Sequence, residues 1–228
     1  MTQPIADERL VFLLDVDNTL LDNDRLKEDI GDGLLATLGP DRSERFWQLY
    51  EDIRHEKDVV DYPATVERLS ALFPGEGLQD RLTTYLFGLP FRQYLFPHAL
   101  ETIQHLKRFG LVAILSDGDP VFQAWKIRQS GLQAMTDEVL IFKHKEQELP
   151  DVFARLPADH YVMVDDKPTI LAALERHCPS GFTTILVLQG HYAEGNLTLS
   201  PEPDYVLPAI ADLRSFDAAQ FRRGATVE

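Results

Sequence analysis

Leu10-Val11-Phe12-Leu13-Leu14 is an unbroken run of large apolar residues that stops at two carboxylates, Asp15 and Asp17. A short continuous apolar run predicts a strand buried on both faces. From Asp22 to about Phe96 the apolar spacing changes to three and four. Leu26, Ile30, Leu34 and Leu38 mark a first helix that ends at Gly39-Pro40. Asp41, followed by Glu44, predicts the next helix start, with Phe46, Leu49, Tyr50 and Ile53 as its apolar face. Val66, Leu69, Leu72 and Phe73 predict a third helix, closed by Pro74-Gly75, and Leu78, Leu82, Tyr85, Leu86 and Leu89 a fourth. No strand-like run interrupts this block.

After Pro97 strands and helices alternate. Leu100, Ile103 and Leu106 share a helical face that stops at Gly110. Leu111–Leu115 then predicts a strand ending at Ser116, and Asp119-Pro120 the start of a helix carrying Phe122, Trp125 and Leu132. Further strands are predicted at Val139–Phe142, Tyr161–Val164, Thr183–Leu188 and Tyr205–Leu207, with helices over Leu149–Leu156 and from Pro168. A closing helix should follow the last strand, and the polar tail from about Ala218 should fray. This alternation predicts an α/β fold: a doubly wound, Rossmann-like parallel sheet with an inserted all-helical unit. The expected division is a core of residues 1–21 and 97–228 around a helical domain of residues 22–96. Right-handed crossovers put the strand C-termini on one edge, where ligands of such sheets bind.

Charge narrows the ligand. The 228 residues carry a formal net charge of −15, which opposes nucleic-acid backbones and anionic membrane surfaces. A small anionic substrate fits only where a local cation inverts the field. The single cysteine, Cys178, rules out an intramolecular disulfide framework. Asp7 and Glu8 directly precede the first apolar run, and no stretch is long enough and apolar enough to span a bilayer, so a cytoplasmic protein is expected. Oligomeric state is not legible.

Four of the predicted strand ends carry chemistry. Two close carboxylates repel unless a cation sits between them or one keeps its proton. Asp15 suits a nucleophile and Asp17 a general acid/base. Mg²⁺ would fit Asp15, the main-chain carbonyl of Asp17, and Asp166, with Asp165 in or near the coordination shell. Ser116 can donate to a phosphoryl oxygen, a lysine can neutralise charge, and the N–H groups of Val16, Asp17, Asp117 and Gly118 can cradle the rest.

In this order the motifs resemble the haloacid dehalogenase (HAD) superfamily: Asp15-Val16-Asp17-Asn18-Thr19, Ser116 after its strand, a lysine after the next, and Val164-Asp165-Asp166. Tyr94-Leu95-Phe96-Pro97 also looks like the family. The resemblance implies a HAD-like core, a C1-type cap, Mg²⁺ dependence and a small phosphorylated substrate processed through an aspartyl-phosphate. Two lysines compete for the third motif. Lys145, in His144-Lys145-Glu146, is closer to the family's pattern; Lys143 is then a solvated neighbour and candidate substrate contact. His144 is expected to be structural.

Rival readings fare worse. A true dehalogenase of the superfamily lacks the second carboxylate of the first motif, and Asp17 is present. A phosphomutase would use the same residues and ranks second. A phospho-acceptor receiver module would place its acidic pair differently and carry no helical insertion. An EF-hand at Asp15–Asp24 fails because Leu20 stands where Gly is needed. In the helical unit, Phe46 and Trp47 are expected to pack; Arg54, His55, Asp61 and Tyr62 form a polar junction that could face a substrate, with ordinary surface the favoured reading.

Overall fold

The computed structural model describes residues 9–177, 181–191 and 201–222. Cys178 lies outside them, as do the N-terminal acidic pair and the last six positions. The described strands are β1 (Leu10–Leu14), β2 (Leu111–Asp117), β3 (Glu138–Phe142), β4 (His160–Asp165), β5 (Gly181–Val187) and β6 (Tyr205–Leu207). They form one parallel sheet in the order β3-β2-β1-β4-β5-β6. The chain moves outward from β1 on one side and then crosses to β4 on the other. The strand order therefore reverses between β1 and β4, which is where such sheets open a crevice.

Alternate residues of β1 serve opposite layers, as a period of two demands. Leu10, Phe12 and Leu14 pack with Ile103 and Leu106 of α5 (Ala99–Leu106) and Ile127 of α6 (Phe122–Ser130). Val11 and Leu13 pack with Leu149 and Val152 of α7 (Leu149–Arg155) and Leu171 and Leu174 of α8 (Pro168–His177). All five residues of β1 are buried, so any slip in register would move apolar groups between two filled cores.

Between β1 and β2 run α1 (Asn23–Leu38), α2 (Pro40–Lys57), α3 (Tyr62–Leu72) and α4 (Leu78–Phe87). The four-residue spacing becomes the buried face Leu26, Ile30 and Leu34 of α1. Asp22 caps α1 by accepting from the Arg25 N–H at 3.0 Å. Gly39, at φ 77°, breaks the axis, and Pro40 opens α2. That start lies one residue before the predicted Asp41, because proline fits the first helical position without losing a bond. The chain enters and leaves the insertion side by side. The Asp22 N–H donates to Tyr94 O at 2.8 Å, and the Phe96 N–H donates to Leu20 O at 3.0 Å.

Two expectations at the C-terminal end need correction. The closing helix is instead a pair of 3₁₀ turns, Ile210–Ser215 and Gln220–Arg222. The tail does not fray from Ala218, because Phe221 is fully buried. Its ring meets Phe12 of β1 edge-on at 4.9 Å and also contacts Phe109 and Phe216. One aromatic anchor thus outweighs the polar composition around it. Phe221→Ala should destabilise the fold by about 3–5 kcal/mol, the usual cost of truncating a buried Phe. Urea unfolding of the variant beside the wild type measures it; an unchanged midpoint would mean that the tail is dispensable.

Candidate active site

β1 ends at Leu14, and the chain turns sharply beyond Asp15. The N–H groups of Leu20 and Leu21 fold back onto Val16 O, both at 2.9 Å, and Asn18 takes a left-handed φ of 61°. Asn is one of the few side chains that tolerates this, because its amide bonds locally. Here Asn18 Oδ1 accepts from Asn23 N and Asp24 N at 3.0 and 3.2 Å, capping α1. The turn therefore aims Asp15 and Asp17 while starting the helical insertion. The N–H of Asp15 is held by Val164 O on β4 at 3.0 Å.

β4 delivers the next carboxylates. Asp15, Asp165 and Asp166 are all buried, and each has a carboxylate oxygen within 4.8 Å of one from the other two. Lys145 compensates part of this charge. Its side chain is fully buried, with Nζ 2.5 Å from Asp15 Oδ1 and 2.6 Å from Asp165 Oδ2. Burial alone would push the Lys145 ammonium down, but the surrounding carboxylates hold it well above the ordinary lysine range. Asp166 is pushed well up by burial and by the charges of Asp15 and Asp165.

The division of labour is visible atom by atom. Asp165 is used by the protein: Oδ1 accepts from the Lys167 N–H at 2.8 Å, and Oδ2 faces Lys145. Both Asp166 oxygens and Asp15 Oδ2 are buried without a hydrogen-bond partner. Buried carboxylate oxygens left this way are costly, and a hard divalent cation is the partner that oxygens in such a cluster fit. These residues can therefore hold a divalent metal, with Asp15 and Asp166 as the open ligands. Asp165 also belongs to the cluster, with its Oδ2 shared with Lys145.

Ser116 stands next to the end of β2 beside this cluster, since β1 and β2 run in register through Leu14 and Ile114. The N–H groups of Val16 and Asp17 meet no protein acceptor among the described bonds, as a cradle requires. The Gly118 N–H does not belong in that cradle: it donates to Phe142 O of β3 at 2.9 Å. Gly118 contributes by its lack of a side chain. At φ 154°, a Cβ there would come within 2.8 Å of the Gln123 side chain. Asp117 acts through its carboxylate, which accepts from the Lys145 N–H at 2.8 Å and fixes the turn that carries the buried lysine. Of the two candidate lysines, Lys145 alone reaches Asp15; Lys143 is exposed on the wall of the cavity above.

That cavity, about 440 Å³, is bounded by strand ends below and by the helical insertion above. Tyr50, Arg54 and Tyr62 line it, so Arg54 and Tyr62 are not ordinary surface. Tyr62 is buried, its ring tilted against Phe122 with centroids 4.7 Å apart. Asp61 caps α3 through the Ala64 N–H at 2.8 Å, while Phe46 packs as expected. Two histidine–carboxylate contacts bridge insertion and sheet at the rim. His144 Nε2 lies 2.7 Å from Asp58 Oδ2, and His191 Nδ1 lies 2.8 Å from Asp24 Oδ1. A larger hollow of about 800 Å³ against α1 contains none of the strand-end residues.

Sequence reasoning missed Gln123 and Lys126. Both stand on α6, three apart, in the turn that follows Ser116. Lys126 Nζ lies 2.5 Å from Asp17 Oδ1, and Gln123 Nε2 donates to Asp17 Oδ2 at 3.2 Å and to Ser116 Oγ at 2.9 Å. A polar pair at helical spacing just after a well-capped start was the available signal. Asp119 supplies that cap, accepting from Val121 N and Phe122 N at 2.9 and 2.7 Å, although the regular helix begins only at Phe122. Lys167 was also missed; its Nζ lies 3.8 Å from Asp117 Oδ2.

A parallel sheet with carboxylates gathered at a strand-order reversal defines a class of hydrolases, and comparison places the chain within it. A family model described as a haloacid dehalogenase-like hydrolase matches residues 10–177. A solved haloacid dehalogenase-like hydrolase of Burkholderia xenovorans LB400 is 39% identical, over 92% of this chain and 100% of that one, with a TM-score of 0.83. The chain belongs to the haloacid dehalogenase-like hydrolases. More distant structures share the fold. The magnesium-bound HAD-hydrolase YfnB of Bacillus subtilis is 18% identical over 90% of this chain and 97% of its own, at a TM-score of 0.61. The L-2-haloacid dehalogenase of Xanthobacter autotrophicus, with chloropropionic acid covalently bound, is 20% identical over 90% and 96%, at 0.58. Comparison with curated proteins gives no match.

The cluster makes a stability prediction. In EDTA, Asp166→Asn should melt a few degrees above the wild type, because it removes an ionised carboxylate from a like-charged pocket. Folding raises the Asp166 pKa, so the metal-free wild type loses stability as pH rises from the ordinary carboxylate value toward the raised one. The variant's advantage should be absent in acid and complete at alkaline pH. Calorimetry across that range checks both; a variant less stable than wild type at every pH would refute the repulsion.

Proposed function

We propose that the chain is a Mg²⁺-dependent phosphatase acting on a small phosphomonoester through an aspartyl-phosphate on Asp15. The observation that carries this reading is the pairing at the end of β1. Asp15 lies against Lys145 and beside the open oxygens of Asp166, and Asp17 stands next to Ser116 through Gln123. On this reading a nucleophile, an acid/base and a hydrogen-bond donor for the phosphoryl group share one rim.

Asp15, the main-chain carbonyl of Asp17, and Asp166 would hold Mg²⁺. Bound there, the ion would neutralise carboxylate charge and polarise a phosphoryl oxygen. In the first step a carboxylate oxygen of Asp15 bonds to phosphorus as the ester P–O bond breaks. Asp17 gives its proton to the departing oxygen, so the alcohol leaves neutral. In the second step water attacks the same phosphorus. Asp17 takes back a proton from that water, and cleavage of the Asp15–phosphate bond releases inorganic phosphate and restores the carboxylate. Throughout, Lys145 stabilises the charge on Asp15, Ser116 donates to a phosphoryl oxygen, and the N–H groups of Val16 and Asp17 hold the others. The helical unit of residues 22–96 would act as a cap that excludes water and selects the alcohol portion.

A cavity of about 440 Å³ limits the substrate to metabolite size. Asp17 argues against haloacid chemistry, because the release of halide needs no group to protonate it.

Inorganic phosphate release from a panel of phosphorylated metabolites, with and without EDTA, tests the reading. Release should depend on Mg²⁺, vanish in Asp15→Asn, and fall by about 10²–10⁴ in Asp17→Asn with the fold retained. Metal-independent halide release from 2-haloacids, with phosphate esters untouched, would overturn it. Sugar-phosphate interconversion without net release would make the chain a mutase.

A further inference from the structure

The reading above leaves one deeply buried cation without a task. The Lys126 side chain is only 3% exposed, whereas its partner Asp17 is 27% exposed to the cavity. Burying an ammonium is unfavourable unless its partners are fixed. Those partners are Asp17 Oδ1 at 2.5 Å and Asn23 Oδ1 at 3.3 Å. One turn earlier on the same helix, the Gln123 amide reaches the other oxygen of Asp17 and the hydroxyl of Ser116. Both oxygens of one carboxylate are thus gripped by α6. Gly118 supports the grip, because any side chain there would strike Gln123.

α6 is itself immobilised from its other side. Phe122 packs against Tyr62, Phe87 and Phe91, and Trp125 Nε1 donates to Phe87 O at 2.8 Å. Residues 122 and 125 face the helical insertion, while 123 and 126 face the site. The helix therefore sets Asp17 relative to both Ser116 and the wall that confines the leaving group.

We propose that Lys126 and Gln123 are positioning residues that fix the rotation of the Asp17 carboxylate and tie it to Ser116, so that proton transfer to the leaving oxygen is aligned. This rests on the phosphatase reading and goes beyond it. A carboxylate free to rotate would still bind substrate but would meet the leaving oxygen less often. The defect should therefore scale with how much the leaving group needs a proton.

The test compares kcat/KM for p-nitrophenyl phosphate, whose phenolate leaves unaided, with that for glycerol 2-phosphate, whose alkoxide does not. Lys126→Met should lower the glycerol phosphate value on the order of 10-fold or more beyond any loss on the aryl ester, and Gln123→Leu should act in the same direction. In an Asp17→Asn background, Lys126→Met should add little, because the group it positions no longer transfers a proton. Equal losses on the two esters, or losses that multiply in the double variant, would overturn the proposal and make Lys126 a structural ion-pair partner. Should Lys126→Met fail to fold, Lys126→Gln and Gln123→Leu carry the same comparison. If the wild type hydrolyses neither ester nor any metabolite of the panel, the phosphatase reading falls and this inference with it. An active wild type with an unaffected Lys126→Met overturns this inference alone.

Discussion

Mutual repulsion among Asp15, Asp165 and Asp166 is the constraint around which the molecule is built. Three buried carboxylates within reach of one ion cannot all be charged in a dry interior without compensation. The protein supplies Lys145, whose own burial is tolerated only because Asp15 and Asp165 flank it, and adds a second positive charge near the cluster in Lys167. It leaves the oxygens of Asp166 and one of Asp15 unanswered. An arrangement that is unfavourable in the empty protein becomes favourable once a cation enters. The site stores its affinity as electrostatic strain, held in place by the sheet.

The sheet can hold that strain because the carboxylates stand at the ends of its central strands. β1 is buried on both faces between β2 and β4, so Asp15 and Asp165 cannot relax apart without breaking the register of a filled core. The lysine arrives differently. It sits on a 3₁₀ turn after β3, tethered to the end of β2 by the Asp117 carboxylate. Neighbouring strand ends thus exchange side chain for backbone: Asp117 holds the Lys145 N–H, and Asp165 holds that of Lys167.

The helical insertion joins this assembly through few but specific contacts. Its two crossing segments are bonded to each other beside the Asp15 turn, and α6 packs on it while gripping Asp17. Access to the cavity and the placement of the Asp17 carboxylate therefore share one structural element. In enzymes that confine small substrates, such sharing links selection of the substrate to the chemistry that follows.

Much of this was legible in the chain. Uninterrupted apolar runs marked buried strands, spacing of four marked the helices, and alternation of the two implied the parallel sheet whose edge gathers Asp15, Ser116, Lys145 and Asp166. Local patterns suffice there because strand burial and helix amphipathicity are written in neighbouring residues. What the chain alone did not disclose depends on contacts between distant segments. Phe221 looked like part of a loose polar tail until Phe12 gave it a partner. Gly118 looked like a phosphate donor until its N–H was found on Phe142, and nothing in the spacing told that Asp165 would also hold Lys145. Lys126 and Gln123 carried no motif at all; only the packing of α6 against both halves of the molecule turned them toward Asp17. Sequence determined which groups reach the rim, because parallel strands joined by right-handed crossovers bring all their C-terminal ends to one edge. Tertiary structure decided which atom answers which, because a hydrogen bond or an ion pair is settled by ångströms that no spacing along a chain encodes.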